Sequence, residues 1–255
     1  MRTGKRSAGE FCWINILTPR PAEAQAFFGK LLGWTYLEIP GLGHRVQVGG
    51  RDIGGMWDLA APNTPPGTPP GIGVMVKVES ADATVKKVIS LGGKAKPAFD
   101  IMEQGRMAEC FDPNGAQFDI WEPKKSHGNE ADSSLHGSPS WHETMTTDVG
   151  RATAFYTALF GWTAEVMPME GFAYTSFRLG DEFVAGMMAI TPEMGPIPPH
   201  WAVYFTVADV DRTAREADAL GATRCVPVQD IPGVGRFCGL TSPQGVIFYV
   251  IKYVT

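Results

Sequence analysis

The chain has 255 residues, 44% of them apolar and 19% charged, with a formal net charge of −5. That length suits one large domain or two ordinary ones with a sizeable core. A mildly acidic chain without basic tracts argues against nucleic acid as the main partner.

The N-terminus "MRTGKRSAGE" is basic, but no apolar run follows it as a secretory signal would require. No stretch approaches the roughly 18 apolar residues of a membrane span. Cys12, Cys110, Cys225 and Cys238 form no CxxC pair, and three of them sit in apolar, strand-like runs. Reduced thiols in a cytoplasmic protein are the expectation.

"FCWINIL" reads as a short strand beginning at Phe11. "AEAQAFFGKLL" follows, with Ala22, Ala26, Phe27 and Leu31 at helical spacing and Gly33 where a left-handed residue ends a helix. Strand-like pieces come next around "WTYLEI", "HRVQVG" and "IGGMWDL", with His44 on an exposed hairpin facing solvent, then a proline-rich loop, "APNTPPGTPPG". The pattern restarts with strand "GVMVKV", helix "ADATVKKVISLGG" and strands around "AKPAFD", "GRMAECFD" and "AQFDIWEP". Residues 1–122 thus read as strand-helix-strand-strand-strand, twice.

The same text then repeats. "FCWINILTPRPAEAQAFFGKLLGW" is answered 128 positions later by "PSWHETMTTDVGRATAFYTALFGW", and the remaining segments follow in order. This is a duplication. Residues 123–138, polar and poor in large apolar side chains, read as a linker in which neither His127 nor His136 has a structural role. Residues 139–255 are the second copy.

Several motifs carry a family resemblance: "AFYTALFGW" with its copy "AFFGKLLGW", "FTVADVD" with "VKVESAD", and "DPNGAQFDIWEP" with "SPQGVIFYVIK". Together they resemble the vicinal oxygen chelate superfamily of glyoxalase I, bleomycin-resistance proteins and extradiol dioxygenases. "WHE" at Trp141–Glu143 and "GRF" at Gly235–Phe237 resemble its two-domain glyoxalase-like subgroup. The resemblance implies an α+β fold of tandem glyoxalase-like domains. Each would be two βαβββ units forming a half-open barrel, with the binding cavity inside the cup and the helices outside.

In such a cup, strand alternation turns Trp13 and Asn15 inward, as it does Trp141, Glu143 and Met145 in the second copy, and turns His142 away. Metal-dependent members of the family place His, Gln and Glu ligands at positions that here hold Trp13, Gly73 and Asp119, and Trp141, Ala202 and Tyr249. The usual triad is therefore expected to be absent, and with it any cofactor. A shifted divalent-metal site on Glu143 and His200 is the alternative, against His200 capping its proline-rich loop.

The inner faces are expected to carry Trp13, Asn15, Met75, Asp119 and Trp121 in one half, and Trp141, Met145, Tyr204 and Tyr249 beside Glu143 in the other. These residues suit a small apolar or aromatic ligand, or fill the cups as ordinary core. Glu143 is the candidate acid or base, its pKa raised by apolar surroundings, unless it bonds a neighbouring backbone amide. Arg106 and Arg236, at equivalent places, either bind an anion or anchor loops through carbonyls. Asp112 is a turn residue.

Three functions stay open: a metal-free binder of a small molecule; a metal-dependent lyase, isomerase or dioxygenase; and a non-catalytic structural protein with filled cups. The expected partner is a small molecule rather than nucleic acid or membrane, with oligomerisation left open.

Overall fold

A computed structural model describes residues 3–41, 43–62, 64–169 and 172–254. Leu42 in the first hairpin and Asn63 in the proline-rich loop lie outside the described residues. The N-terminal half runs β1 (Phe11–Thr18), α1 (Pro21–Leu32), β2 (Thr35–Ile39), β3 (Gly43–Val48) and β4 (Arg51–Asp58). It continues with β5 (Gly71–Lys77), α2 (Ala81–Ser90), β6 (Lys94–Ala95), β7 (Phe99–Ile101), β8 (Gly105–Phe111) and β9 (Gln117–Pro123). The C-terminal half repeats this as β10 (Pro139–Thr146), α3 (Val149–Phe160), β11 (Thr163–Met169), β12 (Phe172–Leu179) and β13 (Glu182–Ala189). It ends with β14 (His200–Thr206), α4 (Val210–Ala219), β15 (Thr223–Ile231), β16 (Gly235–Thr241) and β17 (Ile247–Tyr253).

Helix α1 begins with proline, whose missing N–H costs nothing there, and ends on Gly33 at φ 68°. Its buried face is Ala24, Phe27, Phe28, Leu31 and Leu32. Ala22 and Ala26 are exposed, a correction of phase: alanine fits either face of a helix, so the large residues decide which way it turns. Helix α3 is capped by the Asp148 carboxylate, which accepts from the Arg151 amide at 2.9 Å, and ends on Gly161 at φ 72°.

The strand order is β2-β3-β4-β1-β5-β9-β8-β6 in one sheet, with β7 also paired to β8, and β11-β12-β13-β10-β14-β17-β16-β15 in the other. In both, the first strand runs parallel to the fourth and antiparallel to the fifth. Each half therefore closes its own curved sheet from two βαβββ units.

The two sheets meet through the helices on their backs. Phe28 of α1 lies 5.1 Å from Phe248 of β17, and Trp34 lies 5.2 Å from Phe205 of β14. In return Phe155 and Tyr156 of α3 lie 6.1 and 5.9 Å from Phe118 of β9. One apolar cluster runs through both halves. The Trp34 indole donates to the Gly137 carbonyl and the Trp162 indole to the Gly9 carbonyl, both at 2.8 Å. These are the same bond made twice, since the two tryptophans stand 128 positions apart and so do the two glycines. The Asp112 turn also crosses over. One carboxylate oxygen accepts from the amides of Asn114, Gly115 and Ala116, and the other from the Tyr156 hydroxyl at 3.1 Å.

Residues 124–138 have no regular structure but are pinned at several points. The Asn129 amide donates to Cys12 O at 2.6 Å, and Thr206 donates to Ser133 O at 2.7 Å. Gly137 sits at φ 83° so close to Leu32 that a Cβ would lie 2.1 Å from its carbonyl. His136 contacts the Leu31 carbonyl at 3.1 Å, which corrects the expectation that it has no structural role. Arg106 and Arg236 are engaged by carboxylates of the chain rather than by loop carbonyls. Each is bidentate to an aspartate in the first turn of the preceding helix of its own unit, Asp82 in α2 and Asp211 in α4, and each also reaches a strand aspartate, Asp100 and Asp230.

Trp34→Phe and Trp162→Phe keep the ring but orphan a buried carbonyl. Each is expected to cost about 1–3 kcal/mol. Denaturant unfolding should show one transition shifted as a whole; two separate transitions would mean that the halves do not share a core.

Candidate functional site

The sheets put their backs together, so their inner faces open outward. In β1, Ile14 and Ile16 are buried in the shared core, while Trp13, Asn15 and Leu17 line a cavity of about 670 Å³ in the N-terminal cup. That is the size of a small-molecule site. The cavity also takes Met75 of β5, Asp119 and Trp121 of β9, and Trp57 of β4. His44 borders it and is half-buried, not turned to solvent as the hairpin reading expected.

Two glycines keep the floor open. Gly55 and Gly73 flank Asn15 in the neighbouring strands, where a Cβ would lie 3.2 Å from Asn15 Oδ1 and 4.0 Å from Asp119 Oδ2 respectively. The walls are indole rings whose N–H groups are already bonded. Trp13 donates to Asn15 Oδ1 at 3.2 Å, Trp57 to Thr64 at 3.0 Å and Trp121 to the Ser126 carbonyl at 3.0 Å. With their N–H groups satisfied by the protein, the rings offer the cavity apolar surface.

Asp119 is the buried one among the charged side chains that line the cavity. It is 6% exposed, paired with Met75 on one side and Glu109 on the other, and its Oδ1 has no hydrogen-bond partner. Burial pushes its carboxyl up to about 7, the charge of Glu109 adds to the shift, and Gln117, Lys96 and Asn15 oppose it.

The C-terminal cup has the same plan with different contents. Glu143 stands where Asn15 stands, but both its oxygens are occupied. Oε1 accepts from Tyr204 at 3.0 Å and Oε2 from Tyr174 at 2.7 Å, and the Trp141 indole donates to the Tyr174 hydroxyl at 2.9 Å. Burial raises the Glu143 pKa and the two tyrosines oppose that. Tyr174 covers Gly186 so closely that a Cβ there would lie 1.7 Å from its hydroxyl. Tyr204 and Tyr249 stack at 4.7 Å, and Met145 is buried. The rise in pKa expected of Glu143 is present, and its hydrogen bonds come from tyrosine hydroxyls rather than from a backbone amide.

Neither cup offers the donors of the family's metal sites. Trp13 and Trp141 present indoles, Gly73 and Ala202 have no donor atoms, and Asp119 stands alone. His200 uses Nδ1 on the Pro198 carbonyl at 2.8 Å, with Nε2 left over, and the two Glu143 oxygens accept from Tyr204 and Tyr174. Among the described residues no group of three or more His, Cys, Asp or Glu could hold a metal ion. His142 is stacked on Phe11 at 4.0 Å, and enclosure together with Arg6 pulls its pKa down to about 3.

Tyr174 and Trp57 escaped the sequence reading. Both lie in the third and fourth strands of a unit, whose register against the first strand is set by long-range pairing rather than by a local motif.

A paired βαβββ sheet, curled into a cup and duplicated back to back, defines the vicinal oxygen chelate class of fold. Comparison with known proteins places the chain within that class. It is 36% identical over 251 residues to "Putative glyoxylase CFP32" of Mycobacterium tuberculosis, covering 94% of this chain and 93% of that one. It is 31% identical over 260 residues to the anthracycline biosynthesis protein DnrV of Streptomyces peucetius, covering 96% and 93%. A family model described as bleomycin resistance protein-like N-terminal matches residues 141–176. The fold matches the Mn(II)-bound glyoxalase of Novosphingobium aromaticivorans at TM-score 0.66 and 15% identity, covering 96% and 82%. It matches a 2,2',3-trihydroxybiphenyl 1,2-dioxygenase of Sphingomonas wittichii at TM-score 0.67 and 12% identity, covering 96% and 91%. The chain belongs to the two-domain, glyoxylase-like branch of the vicinal oxygen chelate superfamily. No helix among the described residues is long and apolar enough to cross a membrane.

Asp119 has a testable energetic signature. A carboxyl whose folded pKa lies above its unfolded value of about 3.9 makes the protein lose stability as pH rises from about 4 to 7. Asp119→Asn is therefore expected to be more stable than the parent at pH 8, by about 2–4 kcal/mol, with the gain vanishing near pH 4. Denaturation curves at both pH values check this.

Proposed function

We propose that the N-terminal cup binds a flat, largely apolar or aromatic small molecule, without a metal of the kind the family usually holds. The observation that carries this reading is the cavity of about 670 Å³ walled by Trp13, Trp57 and Trp121. Three ring systems whose N–H groups are already bonded suit stacking and burial more than hydrogen-bond recognition. The name of the Streptomyces relative, an anthracycline biosynthesis protein, is consistent with a polycyclic ligand. The C-terminal cup, on this reading, is the filled copy: its tyrosines and Glu143 satisfy one another and stiffen the second half.

The register shows which changes separate the two cups. Met75 and Asp119 pair as Tyr204 and Tyr249 do. Introducing Met75→Tyr and Asp119→Tyr together should plug the N-terminal cup, and Trp57→Ala should remove one wall while leaving it open. Planar aromatic ligands are expected to quench tryptophan fluorescence with one site per chain. Affinity should be lost in the double variant and weakened by about tenfold in Trp57→Ala. Binding that survives the double variant would move the site elsewhere. Stoichiometric divalent metal in protein purified without added metal would overturn the metal-free part of the reading.

A further inference from the structure

The N-terminal cavity has an unbalanced charge at its floor. Four charged side chains line it: Arg45 of β3, Lys96 between β6 and β7, Glu109 of β8 and Asp119 of β9. Arg45 is paired with Asp52 at 2.9 Å, and Lys96 with Glu109 at 2.6 Å. Both cations are thus committed to other carboxylates. Asp119 remains, buried to 6% exposure, with Oδ1 unpartnered. The C-terminal cup shows how the fold resolves such a problem: its buried carboxylate, Glu143, has a tyrosine hydroxyl on each oxygen. In the N-terminal cup the register counterpart of Tyr204 is Met75, which donates nothing, and the side-chain hydrogen bonds of Gln117 and Asn15 to Asp119 leave its Oδ1 without a partner.

A buried carboxylate with one unpartnered oxygen, surrounded by π faces, is complemented by a positive group. The charge answers the carboxylate, and the indole faces attract the same cation through their quadrupoles. A ligand hydroxyl would return a hydrogen bond but leave the charge uncompensated, with the Glu109 carboxylate in the neighbouring strand adding to it.

From this geometry we propose that the N-terminal cup is selective for planar aromatic cations, such as aromatic amines protonated at neutral pH, with Asp119 as their counter-ion and Trp13, Trp57 and Trp121 as their walls. The proposal rests on the reading of this cup as a binding site and specifies the charge of what it binds.

The test compares two probes of nearly the same shape on the full chain: 9-aminoacridine, a cation at neutral pH, and acridone, which is neutral. At pH 8 the cation is expected to bind about tenfold more tightly or better, and Asp119→Asn to reduce it to the level of acridone while acridone affinity stays put. Lowering the pH to 6 should shrink the preference, because a proton then competes with the ligand for Asp119. His44, Lys96, Glu109 and Arg45 also border the cavity, so this pH dependence is read as the difference between the parent and Asp119→Asn. If both probes bind equally, or if the preference survives in Asp119→Asn, the counter-ion assignment falls and the cup remains a binding site. If neither binds, the binding-site reading fails and takes this inference with it.

Discussion

The structure depends on a reciprocal exchange between its halves. Trp34 reaches across to Gly137 and Trp162 to Gly9, and each copy of the first helix lays its aromatic face on the other copy's sheet. Phe28 and Tyr156, both fully buried, are at the centre of that exchange. Neither half has a complete core without the other, because a curved sheet with a helix on its back still exposes apolar surface that must be covered. The duplication supplies the cover, and the two-fold repeat of the sequence becomes a two-fold repeat of contacts.

That packing has a consequence for function. Because the backs of the sheets face each other, the cups face away from each other and share no wall. A substitution inside one cup leaves the shared core untouched. The scaffold residues could therefore stay alike in the two copies while the inner faces separated. Both cups have a glycine beside the first strand, Gly55 and Gly186, but one has Gly73 and Met75 across from it and a carboxylate with an unpartnered oxygen. The other has Tyr174, Tyr204 and Tyr249 round Glu143 and an internally bonded floor.

Much of this architecture is legible in the sequence, and the reason is local. Gly33 and Gly161 end helices by their own conformational freedom, and the alternation of Ile14 and Ile16 with Trp13 and Asn15 assigns faces without knowledge of the partner strand. What escaped depends on distance along the chain. Glu143 looked like a free carboxylate because its partners are 31 and 61 residues away, on strands whose register no local motif specifies. His136 looked like part of a loose linker because the carbonyl it meets belongs to α1, 105 residues earlier. Arg106 and Arg236 were recognised as equivalent, but the carboxylates they join are fixed only when the strand and helix dock.

The position of Asp119 is where stability and binding conflict. A carboxyl driven up to about 7 by burial is a group the folded chain would hold more easily as an amide or an apolar residue. Its counterpart in the other half, Tyr249, shows that this strand position accepts a neutral aromatic side chain stacked on its neighbour. The scaffold therefore does not require an acid at residue 119. An acid kept there opposes the packing of its own cup unless something in the cavity answers its charge. A bound cation would return the desolvation cost as affinity, because the empty cup stores that cost and the filled one releases it. On the counter-ion proposal, the group that costs the empty cup stability is the one that would give it affinity.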